Sequence, residues 1–469
     1  VMFGRIKHIH FVGIGGTGMS GIAEILVNLD FVVSGSDLKA SQATRYLSDL
    51  GAAVSIGHRA ELVEGVDAVV VSAAVHEGNP EVKRARELKI PVISRAEMLA
   101  ELMRLRHGIA VAGTHGKTTT TSMVASVLEV GGVDPTVVVG GRVKGFGSGV
   151  RMGNGTYLVV EADEFDRSFL RLSPTIAVVT TIEAEHLDCY RDLDEIKAAF
   201  VEFVNRVPFY GAVIVCLDEE SVQSIIPRIE KRLITYGVSS QADLCALDVR
   251  HQGREGRYVL NVRGEEIGEI SLAVPGLHNI RNSLAAAAVG LELGIDYETI
   301  AKGLAQFTGV HRRFEIKGEV GGIMVVDDYA HHPTEIEVTL RAAKDGWGRR
   351  VVAVFQPHLY TRTRDFHVEF GKSFFQADVL IVTDIFPARE DPIEGVTGEL
   401  VARAAREYGH RDTTYVPDAS KIPRHLVEIT EPGDLVITLG AGDIWEQGET
   451  FYSLLSRAAE KEKKRRRKS

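Results

Sequence analysis

Two glycine-rich stretches carry the residue types that hold phosphate. The first, Gly13-Ile14-Gly15-Gly16-Thr17-Gly18, fits GxGxxG through Gly13, Gly15 and Gly18, directly after an apolar run and ahead of a helical pattern. Glycine there permits a tight turn and close approach of backbone, and a helix N-terminus offers unpaired N–H groups and a positive dipole end to a diphosphate. Asp37, at the end of the second strand-like run, stands where the acid that contacts a ribose is expected in dinucleotide sites. The motif leaves the diphosphate open, since NAD, FAD and a UDP-sugar all carry one.

The second stretch, Gly113-Thr114-His115-Gly116-Lys117-Thr118-Thr119-Thr120, departs from the usual P-loop spacing because Val111 holds the first glycine's place. It keeps the working end: Gly116 for backbone approach, Lys117 as a mobile charge for terminal phosphates and Thr118 as a hydroxyl ligand for Mg²⁺. ATP is the expected ligand. Two clusters suit a triphosphate site. Tyr157 to Asp166, YLVVEADEFD, ends a buried strand with Glu161 and Asp163; Thr180 to Tyr190, TTIEAEHLDCY, ends another with Glu183, His186 and Asp188. A lone histidine is more often packed than ligating, but His186 belongs to the same α/β unit as the loop. Hard oxygen donors favour Mg²⁺ over zinc.

Positioning these groups requires strands that end at the site and helices that start there. Apolar runs alternate with helical patterns in three successive sets, which argues for parallel sheets covered by helices. The expected architecture is α/β in three domains: a Rossmann-like domain over 1–107, a P-loop ATPase-like domain over 108–309 and a Rossmann-like domain over 310–469. The central one adds a small antiparallel hairpin read in Arg257 to Ala273, which alternates apolar and polar residues around Arg263-Gly264. No low-complexity segment or short-period repeat interrupts them.

Composition is consistent with this. A length of 469 residues suits about three domains at roughly 150 residues each, with apolar content for separate cores. No apolar run approaches the roughly 20 residues of a membrane span and no signal-peptide pattern opens the chain, so a cytoplasmic protein is expected. Cys189, Cys216 and Cys245 are widely spaced, outside any metal-ligand pattern, and read as packing residues. A formal net charge of −10 gives no support to broad nucleic-acid binding. The basic block Lys461 to Ser469 reads as a solvated, frayed tail.

The ordered set GIGGTGMSGIAEIL, GTHGKTTTTSM, EADEFDRSFL, EAEHLDCY, PGLHNIRNSLAA, GVHRRFE, DDYAHHPTE and FQPHLYTRTRDF covers essentially the whole chain and resembles the Mur ligases. These are ATP-dependent amide-forming enzymes of bacterial cell-wall synthesis. The likeness falls on the branch that joins L-alanine to UDP-N-acetylmuramate. It implies that the first loop, Gly13, Gly15, Gly16, Thr17 and Gly18 with Asp37, holds the UDP diphosphate of the sugar substrate. The second, Gly113 to Thr119, would hold ATP, with Lys117 on the β and γ phosphates. Thr118, Glu161 and His186 would hold Mg²⁺. Asn279 and Asn282 match residues at the adenine, although helix capping would also explain them. Arg313 matches the arginine that reaches ATP, and Asp328 the residue near its ribose. Tyr329, His331, His358 and Arg362 resemble the surroundings of L-alanine, Arg362 facing its carboxylate; His332 reads as support for the turn before Pro333.

Two positions depart from the pattern. Val201 stands where several Mur ligases carry a carbamylated lysine, which resembles the alanine-adding branch because that branch lacks the lysine, and Leu359 stands where close relatives often have arginine. The implied chemistry is phosphorylation of the lactyl carboxylate, then attack of the alanine amine on the acyl phosphate, with His331 or His358 assisting deprotonation. An acyl phosphate must be kept from water, which gives three domains a reason to close. A homodimer is compatible with the sequence, which fixes no oligomeric state. The nearest rival is the recycling ligase that attaches a tripeptide to the same sugar nucleotide. The short spacing of about twenty residues between Asp163 and Glu183 favours the alanine enzyme. An NAD-dependent oxidoreductase would leave the second loop unexplained, and a non-catalytic UDP-sugar sensor would not need Lys117, Glu161 and His186.

Overall fold

The computed structural model describes residues 5–16, 18–72, 74–140, 149–185, 189–388 and 390–466, the last five of these as backbone alone. The chain forms two compact units, one of Val1–Asp248, Tyr258–Ile270 and Arg281–Phe307, the other of Val249–Arg257, Ser271–Ile280 and Thr308–Ser469.

In the first unit a five-stranded parallel sheet runs in the order Ala53–Ile56, Val32–Asp37, His8–Val12, Ala68–Val71, Val92–Ser94. The order reverses direction at His8–Val12, the strand that feeds the first glycine loop, and such a reversal opens a crevice at the strands' carboxyl ends. Helices Gln42–Asp49 and Arg95–Met103 start at Ser41 and Ser94, each closing a capping box with the residue three along.

A second sheet of ten strands has at its centre Ala212–Cys216, Ile176–Val179, His107–Ala112 and Tyr157–Glu161, all parallel. Their side chains are buried on both faces, as continuous Val/Ile/Ala runs require of a sheet covered by helices. At its far end Leu244–Gln252, Glu255–Val262 and Glu265–Leu272 are neighbours. The expected hairpin is the last two, turning through Arg263 and Gly264 at φ 49° and 92°.

The sequence suggested separate cores for the first two sheets, but one buried cluster runs from Ile9 through Met103 and Val150 to Ile225. Close backbone approach makes this so. A Cβ on Gly21, in helix Met19–Asn28, would fall 2.4 Å from Val150 Cγ2, and one on Gly108 2.5 Å from Met103 Cγ.

The second unit holds a six-stranded sheet in the order Glu315–Val320, Ile323–Asp328, Leu435–Leu439, Val351–Phe355, Val379–Val382, Thr413–Tyr415, parallel except at its first pair. Register places both Asp328 and Phe355 beside Leu439, so the loops after these two strands emerge on either side of Gly440 and Gly442. A side chain at Gly442 would meet Gln356 Oε1 at 2.3 Å. The expectation of a frayed basic tail over Lys461 to Ser469 is corrected for its first six residues, which belong to helix Ile444–Arg466, while 467–469 lie outside the described residues. Good helix formers and cations at a helix C-terminus, where the dipole favours them, account for the difference.

Candidate functional site

At the first loop, Gly13 and Ile14 both donate their N–H to the Ser36 carbonyl, at 2.8 and 2.9 Å, which locks the end of one strand to the start of the turn. Gly18 adopts φ 80° as the N-terminal residue before helix Met19–Asn28, with no side-chain cap. Asp37 Oδ2 accepts from the Gly15 N–H at 2.9 Å. One oxygen of the expected ribose ligand is therefore spent on shaping the loop. A Cβ on Gly18 would stand 3.4 Å from Arg95 Nη1, so a cation that the motif did not announce borders the turn. Thr17 lies outside the described residues.

The second loop joins strand His107–Ala112 to helix Lys117–Val130, with Gly113 at φ 137° and Gly116 at φ 81°. Hydroxyls hold its shape. Thr114 N–H donates to the Thr181 carbonyl, His115 N–H to Thr181 Oγ1, both at 2.9 Å, and Thr114 Oγ1 accepts from the Glu183 N–H at 2.9 Å. His115 Nε2 lies 3.6 Å from Glu183 Oε2. Thr119 is buried in the helix's first turn.

Lys117 Nζ, on a side chain 13% exposed, donates to the Gly113 carbonyl at 2.6 Å, the Thr114 carbonyl at 3.2 Å and both oxygens of Glu164 at 2.8 Å. Burial works against its charge, but Glu164, Asp163 and Glu161 outweigh it and hold the ammonium pKa above the ordinary lysine value. Lys117 is thus a fixed cation. Thr118 Oγ1 donates to the Glu161 carboxylate at 3.0–3.1 Å, and Glu161 Oε2 also accepts from the Gly140 N–H at 2.8 Å. The sheet register explains the meeting, since Glu161 lies opposite Val111 on the strand beside the loop. A hydroxyl and a carboxylate form a hard oxygen donor set that fits Mg²⁺. His186, the third expected ligand, lies outside the described residues.

Asn282 stands against the same loop, its Oδ1 2.8 Å from where a Gly116 Cβ would be. Asn279, in the first turn of helix Leu277–Glu292, donates its side-chain N–H to the Pro275 carbonyl at 2.6 Å, a local bond that is not a helix cap.

In the second unit, Tyr329, His331 and His358 are brought together: ring centroids lie 5.2 Å apart for Tyr329 and His331 and 5.9 Å for His331 and His358. His358 also stacks on Phe386 at 5.9 Å. Arg313 lies over the Tyr329 ring at 5.5 Å and donates to Glu335 at 3.2 Å. Arg312, for which no role was expected, donates to Asp327 and to the carbonyls of Gly440 and Gly442, pinning the turn that carries Arg313 to the sheet. Asp328 accepts from the N–H groups of Phe314 and Ala330, each at 2.7 Å, and burial pushes its carboxyl up to about 6. Leu359, at φ 70°, opens helix Tyr360–Ser373, on whose first turn Arg362 lies half-buried.

Family models match in succession: "Mur ligase family, catalytic domain" over residues 8–107, "Mur ligase middle domain" over 111–290 and "Mur ligase, glutamate ligase domain" over 312–442. The UDP-N-acetylmuramate--L-alanine ligase of Geotalea uraniireducens is 57% identical over 454 residues, 97% of this chain and 99% of that one. The chain belongs to the Mur ligase family.

Among solved structures this Mur ligase is similar to the UDP-N-acetylmuramate-alanine ligase of Thermotoga maritima, with a TM-score of 0.80 and 29% identity, covering 97% of this chain and 100% of that one. A murein peptide ligase from Psychrobacter arcticus follows at a TM-score of 0.69 and 25% identity, covering 96% and 98%. The three-domain α/β architecture expected from the sequence is that of the family. Among the described residues, no helix is long and apolar enough to cross a membrane. Cys216 and Cys245 are buried and free, and burial pushes the Cys216 thiol up to about 12, as packing cysteines require. Glu164, Arg95 and Glu335 were missed as individual residues. Glu164 and Glu335 lie inside quoted motifs, but acidic residues are common beside glycine turns, and only their contacts distinguish them.

Proposed function

We propose that this protein joins L-alanine to the lactyl carboxylate of UDP-N-acetylmuramate, with ATP as the energy source, in peptidoglycan precursor synthesis. The observation that carries the reading is the pair of separate phosphate loops, of which only the second is armed with a lysine, a hydroxyl and a carboxylate. The named activity of relatives at 57% identity supports the alanine-adding reaction over attachment of a tripeptide. We further propose a division into 1–107 for the sugar nucleotide, 108–309 for ATP and 310–469 for the amino acid, and a cytoplasmic location, where ATP is found.

An amide does not form appreciably from a carboxylate and an ammonium in water, so the carboxylate must first acquire a leaving group. Its oxygen attacks the γ-phosphorus, ADP leaves, and an acyl phosphate results. Lys117 holds charge on the transferring phosphoryl group, and the N–H groups of the Gly113–Thr119 turn that Thr181 does not already hold orient the phosphates. Thr118 and Glu161, with His186, would hold Mg²⁺, which supplies further charge stabilisation on the phosphate oxygens. Tyr329, His331, His358 and Arg362 receive the amino acid, Arg362 by its carboxylate. The amine then displaces phosphate from the acyl carbon.

Phosphate release measured with ATP, Mg²⁺, UDP-N-acetylmuramate and each amino acid or peptide in turn tests the reading. Turnover is expected with L-alanine and dependent on the sugar nucleotide. Preference for the tripeptide would transfer the assignment to the recycling reaction, and binding of NAD(H) in preference to UDP at the first loop would remove it from ligases.

A further inference from the structure

Glu335 lies in the first turn of helix Pro333–Trp347, with its side chain 10% exposed. Its Oε2 accepts from the backbone N–H of His331 at 3.0 Å and stands 3.2 Å from His331 Nδ1. Its Oε1 accepts from Arg313 Nη1 at 3.2 Å. The Tyr329 carbonyl oxygen is 3.0 Å from the same Nδ1. Both neighbours of Nδ1 are acceptors, so the proton of a neutral imidazole belongs on Nδ1 and the lone pair on Nε2. The Tyr329 carbonyl, which hydrogen-bonds Nδ1, fixes that tautomer, and the Glu335 carboxylate 3.2 Å away stabilises the imidazolium formed when the other nitrogen takes a proton.

We infer that His331 and Glu335 form a proton-accepting dyad: His331 Nε2 takes the proton of the incoming amino acid's ammonium, and Glu335 is its positioning residue. The inference rests on the acyl-phosphate reading above. When the N–H bond breaks, its electron pair stays on the amine nitrogen and the proton goes to His331. That pair attacks the acyl carbon, the C–N bond forms, and the C–O bond to phosphorus's oxygen breaks with its electrons leaving on phosphate. The second amine proton departs with the phosphate. Arg313 on the other oxygen of Glu335 restrains the carboxylate from rotating away from the ring.

Hydroxylamine provides the test, because it is neutral at assay pH, needs no base, and traps an acyl phosphate as a hydroxamate. The full chain is given ATP, Mg²⁺ and UDP-N-acetylmuramate with either L-alanine or hydroxylamine. His331→Ala should lower kcat with L-alanine about 10²–10³-fold, within the range of general-base contributions. KM for L-alanine should move by less than about 3-fold, hydroxamate formation should fall by less than about 3-fold, and free imidazole should restore part of the turnover. Glu335→Gln, which keeps an acceptor for the His331 N–H, should lower kcat with L-alanine about 10-fold with the same sparing of hydroxamate. Equal loss with both nucleophiles in a folded variant, or an effect of Glu335→Gln confined to KM, overturns the dyad. If Glu335→Gln does not fold, absence of imidazole rescue in His331→Ala overturns it. Wild-type protein that yields no hydroxamate overturns the ligase reading instead, so the two failures are distinguishable.

Discussion

Gly18 and Gly116 stand before two helices with nearly the same backbone, φ 80° and 81°, and neither helix has a side-chain cap. Both helices thus begin at a positive dipole end without a side-chain acceptor, although in the first the Met19 and Ser20 N–H groups bond to the Gly16 carbonyl and the Gly15 N–H to Asp37. They differ in what surrounds that cradle. In the first, a carboxylate, Asp37, is bonded to the loop's own Gly15 amide and no charged residue lies within the motif. In the second, a carboxylate, Glu164, is bonded to the loop's lysine, and a hydroxyl and second carboxylate meet one residue further on. Under the proposed function the comparison separates holding from transferring. Backbone amides suffice to seat a diphosphate that stays intact, whereas a phosphoryl group that moves needs charge placed where charge develops.

The largest expected effect breaks the second loop alone. Lys117→Ala should reduce ADP formation more than about 10³-fold, as loss of a phosphate clamp does, while calorimetric affinity for UDP-N-acetylmuramate stays within about 2-fold. Joint loss of both in a folded variant would show that the two cradles are not independent. Gly15→Ala breaks the first loop instead. Its Cβ would meet Thr44 Cγ2 at 2.8 Å and Asp37 Oδ2 at 3.0 Å, and Thr44 is buried and locked by hydrogen bonds to Ser41 in both directions. The loop must shift by several tenths of an ångström. KM for the sugar nucleotide should rise on the order of 30-fold with KM for ATP unchanged, and a normal sugar-nucleotide KM would remove this loop from the site.

Glu164→Gln sharpens the contrast. Lys117 has three protons and each is already directed at an oxygen, so terminal phosphates must displace Glu164 or share with it. Neutralising Glu164 should tighten ATP about 5- to 10-fold in direct binding and lower the thermal midpoint by a few degrees, since a buried cation loses its counter-charge. Weaker ATP binding would mean that Glu164 serves the nucleotide site rather than competing with it.

Much of this was legible in the sequence because the site hangs on buried parallel strands. The runs at Ile109, Tyr157, Ile176, Ile323, Val351 and Leu435 are continuous apolar segments followed by polar residues or glycine, and all proved to be strands. The edge strands Ala53–Ile56, Glu315–Val320 and Thr413–Tyr415 went unread, since they are half-exposed and lack such a run. Side-chain pairing was equally silent. The short spacing from His331 to Glu335 places both at a helix entry but does not say that the carboxylate faces the imidazole nitrogen, and nothing in EADEFD distinguishes the acid that meets Thr118 from the acid that meets Lys117.

Asp37 is where the two loops can be compared most finely, because it was expected to serve a ribose and is found serving the Gly15 amide. Asparagine can still accept that N–H through its carbonyl oxygen, so the turn should survive, with Lys39 N–H losing only a long contact of 3.3 Å to the other oxygen. If shaping the loop is the main task, Asp37→Asn should change KM for UDP-N-acetylmuramate by about 3-fold or less, the scale of one hydrogen bond between neutral groups. Asp37→Ala should cost about 10-fold, because the Gly15 amide then loses its acceptor. If ribose recognition dominates, the two variants should be equally impaired, since a charged acceptor to a hydroxyl is lost in both. KM for ATP should stay constant throughout, because Asp37 touches only the loop that holds and not the loop that transfers.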